Sequence, residues 1–67
     1  MTYTLNSEFI ELNKLLKFLD LVDTGGQAKM LIEDGLVLRN GVVETRKRAK
    51  IIKGDILQIG DVTITII

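Results

Sequence analysis

The residues of this chain best suited to chemistry are cations and bare backbone. Arg46-Lys47-Arg48 and Lys50 crowd four positive charges into five positions, a local field for phosphates in which arginine can grip two oxygens at once. Gly25 and Gly26 fall where a helix should begin. Each glycine weakens a helix by roughly 1 kcal/mol relative to alanine. Two physical reasons could keep them there. Glycine leaves the N–H groups of a helix N-terminus uncovered, a ready site for a phosphate. It also permits close packing against another backbone. Both readings stand at this point.

Catalysis finds little support. The chain has no His and no Cys, which removes the commonest general base, nucleophile and metal ligands. No carboxylate pair, P-loop or nucleophile–base set appears, and Lys29 has no evident activating neighbour. Neither a catalytic residue, a metal site nor a cofactor is expected. The 67 residues allow one domain, taken as residues 1–67, and so small a core must be efficient. No apolar run is long enough to span a membrane and no signal-peptide pattern opens the chain, so a cytoplasmic location without membrane partners is expected.

Net charge is zero, but its distribution is uneven. Met1 to Gly35 holds six acids and three bases, a balance of −3, whereas Leu36 to Ile67 holds six bases and three acids, a balance of +3. A charge cluster is commonly just a solvated loop.

Several elements must position these groups. Thr2 to Leu5 suits a short strand, and Glu8 to Leu12 is ambiguous between an extended lead-in and a helix start. Leu12, Leu15, Leu16 and Leu19 then recur at helical spacing, with Phe18 flanking the stripe and Lys14 and Lys17 on the polar side. A tight connection, Leu21 to Thr24, leads to the second helix. Thr24 fits its N-cap and Gln27 the return partner of a capping box. Ala28, Leu31, Ile32 and Gly35 form the buried stripe, and Gly35 closes the helix. Met30 is expected to pack at the core margin.

Asn40-Gly41 is a strong signal for a two-residue hairpin turn. It pairs Arg39 with Val42, Leu38 with Val43 and Val37 with Glu44. Leu36, Leu38 and Val43 are then expected on the buried face, with Arg39 pointing outward beside Glu44. Continued alternation would bury Lys47, so pairing should end or bulge near Thr45, leaving a basic loop. Lys53-Gly54-Asp55 reads as a turn. Gly60-Asp61 predicts a second hairpin that places Leu57, Ile59, Val62, Ile64 and Ile66 inside. The fold class is α+β, two short helices on one face of a small antiparallel sheet of hairpins.

The order of these motifs resembles the RNA-binding module named after ribosomal protein S-four. The resemblance rests on the leucine-rich helix Leu12 to Leu19, Ala28 to Ile32, the hairpin Gly35 to Gly41 and Gly54-Asp55, and covers roughly Glu11 to Ile59. Within that family, Asp23 to Lys29 and Glu44 to Arg48 look like the small standalone bacterial proteins of the YaaA/YbcJ type. The resemblance implies an αL-type fold that binds structured RNA, rRNA or tRNA-like, with possible ribosome association. It nominates Lys14, Gly25, Gly26, Gln27 and Lys29 on the helices, and Arg39, Asn40, Arg46, Lys47, Arg48 and Lys50 on the hairpin side. Two departures matter. Gly25-Gly26 stands where many members carry Ser-Arg, and Glu11 where a basic residue often precedes the first helix. Both remove positive charge and fit a site of backbone N–H groups with cations supplied by the loop. Tyr3, Phe9 and Phe18 are the only aromatics, which argues against single-strand binding by serial stacking. The alternative is a protein-interaction module, for which Met30 and the paired acids Glu33-Asp34 could serve.

Overall fold

The computed structural model describes residues 1–67. Nine elements follow in order: β1 (Thr2–Tyr3), β2 (Ile10–Glu11), α1 (Leu12–Phe18), α2 (Gly25–Glu33), β3 (Val37–Arg39), β4 (Val42–Val43), β5 (Lys50–Ile51), β6 (Ile56–Ile59) and β7 (Val62–Ile66). A five-stranded sheet has the order β1-β7-β6-β3-β4, and β2 pairs with β5 separately. The ambiguous Glu8 to Leu12 segment is therefore extended up to Glu11, with Ile10 opposite Ile51.

Turn chemistry sets both hairpins. Asn40 and Gly41 have φ of 53° and 84°, the two positive values of a type I′ turn. Arg39 pairs with Val42 and Leu38 with Val43, as expected. Gly60 at φ 57° opens the second turn, and Ile59, Gln58 and Leu57 pair with Val62, Thr63 and Ile64. The sheet departs from the antiparallel expectation at one edge, where β1 runs parallel to β7. Chain neighbours of the two strands share no local signal for that pairing.

The phase of β3 also differs from the expectation. Val37 is fully buried, while Leu36 and Val43 are about half exposed, at 52% and 49%. The reason lies across the sheet. Val37 is opposite Ile59, and Arg39 is opposite Leu57, so the inward face of β6 dictates which face of β3 is inward. Arg39 therefore turns inward, and Leu36, Leu38 and Val43 take the other face.

Both helices end alike. Leu21 N–H bonds Leu16 O at 3.0 Å, and Leu36 N–H bonds Leu31 O at 3.1 Å, the wide loop of a Schellman closure. Gly35 takes the left-handed position of the second, at φ 77°, whereas Asp20 takes it in the first, at φ 58°. The helices press Leu12, Leu15, Leu16, Ala28 and Ile32 onto Val37, Leu57, Ile64 and Ile66 of the sheet in one core. Ala49 and Ile51 close that core from the basic side. Met30 lies outside it, 64% exposed, because Ala28, Leu31 and Ile32 already fill the inward stripe and Met30 falls on the far side.

Candidate nucleic-acid interface

The basic loop hangs on the first helix. Pairing stops after Val43, and no strand resumes until Lys50, as the alternation argument requires. The N–H groups of Leu12 and Asn13, which have no partner within α1, donate to Ala49 O at 3.0 Å and Lys47 O at 2.9 Å. The α1 N-terminus thus holds the loop backbone, and the Lys47, Arg48 and Lys50 side chains are left exposed. Lys14 belongs to the same first turn. Its Nζ lies 3.2 Å from Glu11 Oε1, so the family departure at Glu11 partly neutralises this cation. Lys50 Nζ sits 5.0 Å above the Phe9 ring, a cation–π contact.

The start of α2 is open. Thr24 Oγ1 accepts from Gln27 N–H at 3.2 Å, and Gln27 Oε1 accepts from Asp23 N–H at 2.7 Å. The expected reciprocal cap is present, displaced by one residue from Thr24 N–H to Asp23 N–H. The N–H groups of Gly25 and Gly26 make no hydrogen bond within the chain. A Cβ at Gly25 would meet nothing within 4 Å, and one at Gly26 only Thr24 Oγ1 at 3.8 Å. The close-packing explanation for these glycines fails, and two free donors remain at the positive end of a helix dipole.

Arg39, expected to point outward, is instead the hub of a half-buried network. Its Nε and Nη2 donate to Asp55 Oδ2 at 3.1 and 2.8 Å, and Nη2 also to Lys50 O at 2.8 Å. Asn40 Nδ2 donates to Asp55 Oδ1 at 3.0 Å, while Asn40 Oδ1 accepts from Ile56 N–H at 2.9 Å. Ile52 N–H completes the shell of Asp55 at 3.0 Å. Arg46 grips the buried Glu44 with Nε to Oε2 at 3.1 Å and Nη2 to Oε1 at 3.2 Å. Arg39 Nη1 approaches the same Glu44 oxygen at 3.5 Å. No buried side-chain polar atom lacks a partner.

These contacts set the acidity of both carboxyls. Burial pushes Asp55 up, but the Ile52 N–H, the Asn40 amide and the Arg39 guanidinium together outweigh it and hold the group below its ordinary value. For Glu44, the Arg46 side-chain hydrogen bond is the largest influence and lowers it. Burial opposes, and the Arg46 backbone N–H and charge, with Arg39, add to the lowering. Sequence reasoning did not find these acids as organisers. The available signal was Asp55 directly after a turn glycine, a position from which a carboxylate can reach back to Ile52 N–H.

Of the nominated residues, the structure ties Lys14, Lys47, Arg48 and Lys50 to one region through the α1 N-terminus. Arg39, Arg46, Arg48 and Lys50 line one shallow recess, of which the first two have their charges engaged. Asn40 and Gln27 spend their side chains on intramolecular bonds. Lys29 is exposed on α2 with no ion pair. No hydrogen bond or ion pair links the start of α2 to the loop. No group of three acidic side chains could hold a metal ion, and no helix is long and apolar enough to cross a membrane.

Comparison with known proteins gives the arrangement a context. A family model described as an S4 domain matches residues 3–67. An Escherichia coli protein named "Putative RNA-binding protein YbcJ" is 49% identical over 45 residues, 67% of this chain and 64% of its own length. A Bacillus subtilis protein named "Probable ribosome maturation protein RlbA" is 32% identical over 56 residues, covering 84% of this chain and 79% of that one. The solution structure of Escherichia coli YbcJ, described as revealing an αL motif involved in RNA binding, matches with a TM-score of 0.74 and 36% identity. That match covers 98% of this chain and 85% of the other. The chain belongs to the S4 domain family, and its two helices on a mixed sheet are the αL fold of that relative.

Proposed function

We propose that this chain binds structured RNA, rRNA or a tRNA-like element, without catalysing a reaction on it. The observation that carries this reading is the loop Arg46 to Lys50. The α1 N-terminus holds its backbone and leaves Lys47 and Arg48 without any carboxylate partner. Lys47, Arg48, Lys50 and Lys29 supply cations for phosphates, Lys14 adds a charge partly offset by Glu11, and the free N–H groups of Gly25 and Gly26 supply uncharged donors. Arg39, Asn40, Arg46 and Gln27 act by holding the hairpin tip and the helix start in place. RNA suits this surface better than the DNA major groove, whose readout needs an inserted helix or ribbon, whereas the basic residues 46–48 lie in a loop. The Bacillus subtilis relative's name supports ribosomal RNA as the target and ribosome association as the setting.

The test is an RNA titration at several salt concentrations, comparing the parent protein with Lys47→Ala/Arg48→Ala. If both cations neutralise phosphates, the log–log salt slope should flatten by roughly 1.4 to 1.8 units. An unchanged slope would remove the loop from the interface. A second reading, docking on a ribosome-associated or other cellular protein, is favoured by one observation. Exposed Met30 lines a shallow apolar recess with Leu21, Val22 and Leu31. Protein that carries no nucleic acid at low salt and binds none in the titration would put that reading ahead.

A further inference from the structure

Phe18, on the last turn of α1, is 70% exposed. Water contact over so much of a large apolar ring is unfavourable, yet this ring is not loosely placed. It meets Tyr3 edge to face, with centroids 5.6 Å apart and planes at 81°. Lys14 and Lys17 line a shallow recess with it. Phe9 makes the useful contrast. Its ring already has Lys50 Nζ over it at 5.0 Å, whereas no cation of the chain covers Phe18. Lys17 has no ion-pair partner at all.

Lys14 and Phe18 are four residues apart and so neighbours on one helix face, with Lys17 three from Lys14. Asn13, the residue before Lys14, is hydrogen-bonded to the backbone of the basic loop at 2.9 Å. The Phe18 recess therefore lies about one and a half helical turns along α1 from the residue that holds the basic loop.

We propose that Phe18, Lys14 and Lys17 form a subsite for a single unpaired nucleotide of the bound RNA. The base stacks on the Phe18 ring, the unpaired Lys17 ammonium takes a phosphate that flanks it, and Lys14, its charge partly offset by Glu11, adds a weaker contact. This rests on the RNA-binding reading above. Three aromatics are too few for tracking a single strand, but one fixed ring with two cations suits one bulged or loop base.

Two RNA probes of equal length test it, a fully paired duplex and a hairpin carrying 2-aminopurine as its unpaired base. The parent protein should prefer the hairpin, and its 2-aminopurine emission should change on binding. Phe18→Leu should weaken hairpin binding by about 5- to 150-fold, the range for one stacked base, with the salt slope and duplex binding unchanged. Phe18→Trp should restore it. Lys17→Ala should instead flatten the slope by roughly 0.7 to 0.9 units, and Lys14→Ala by less, because Glu11 already offsets that cation. If the parent binds both probes equally, or Phe18→Leu binds the hairpin as the parent does, the subsite is overturned while the RNA-binding reading stands. Absence of salt-dependent binding to either probe overturns both. Probe preference and emission are read on the parent, so neither depends on the Leu variant folding.

Discussion

Arg46 and Arg48 stand two residues apart in one loop and are put to opposite uses. Arg46 closes a two-point grip on Glu44, a carboxylate buried to 8% exposure. Arg48 touches no acid. The same division runs through the whole basic half of the chain. Arg39 and Arg46, with Asn40, Glu44 and Asp55, make a closed network that ties the first hairpin tip to the turn at Gly54. Lys47, Arg48, Lys50 and Lys53 remain outside any ion pair. A cation whose field is answered at about 3 Å by its own chain offers little to a distant phosphate. Cations therefore divide by partner here, and the two groups should respond differently to mutation: the paired ones through stability, the open ones through binding.

The largest effect should come from the acid at the centre of the closed group. Asp55→Ala leaves the half-buried Arg39 guanidinium, the Asn40 amide and the Ile52 N–H without their acceptor, and should destabilise by about 3 kcal/mol. Urea denaturation measures this, and a midpoint within error of the parent would dissolve the division. Protonation should act in the same direction. Both carboxyls sit below their ordinary values of 3.8 for Asp55 and 4.5 for Glu44. A depressed folded-state pKa contributes stability above the unfolded value and loses it as pH falls through the folded one. Stability should hold down to about pH 5 and decline below it, and Asp55→Asn should flatten that acid limb.

Gly41→Val should cost about 1–3 kcal/mol, because a β-branched side chain cannot take φ 84° without strain. Thermal melting reads it, and an unaltered melt would remove the type I′ turn from the account. The two arginines make the sharpest comparison. Arg46→Ala leaves Glu44 with the residue-46 backbone N–H at 3.2 Å and the longer Arg39 contact, and should lower the denaturation midpoint with little change in salt slope. Arg48→Ala should keep stability within about 0.5 kcal/mol and flatten the slope by roughly 0.7 to 0.9 units. Reversal of those two outcomes would exchange the roles assigned to them. The smallest change in stability belongs to Gly26→Asp. The site has room for the side chain, and an acid at a helix start is favourable by a few tenths of a kcal/mol. RNA affinity should nevertheless fall, since the carboxylate would repel a phosphate at the open N–H groups. Parallel loss of folding and affinity would return the two glycines to a structural role.

Much of this architecture is written locally. Asn40-Gly41 and Gly60-Asp61 select their turns through backbone dihedrals, and a two-residue turn fixes the register of the strands beside it. Thr24, Gln27 and Gly35 bound α2 by the same kind of short-range chemistry. The breakdown of alternation at Lys47 correctly places a loop there, because a buried unpaired lysine would be too costly. The uneven charge and the two glycines at the start of α2 are likewise legible in the sequence.

Tertiary structure decided what depends on residues far away in the chain. Which face of β3 is inward follows from the opposite strand β6, so Val37 and Arg39 exchange places with the Leu36, Leu38 and Val43 face expected to be buried. The β1–β7 pairing brings together residues more than sixty positions apart, with no intervening pattern to announce it. Above all, the fate of each charge was settled by folding. Arg39, Arg46 and Arg48 are indistinguishable as sequence letters, and only the positions of Asp55 and Glu44 separate them. Hydrogen bonds and ion pairs act over a few ångströms in space regardless of separation along the chain, so the cations left free could be known only once the acids had been placed.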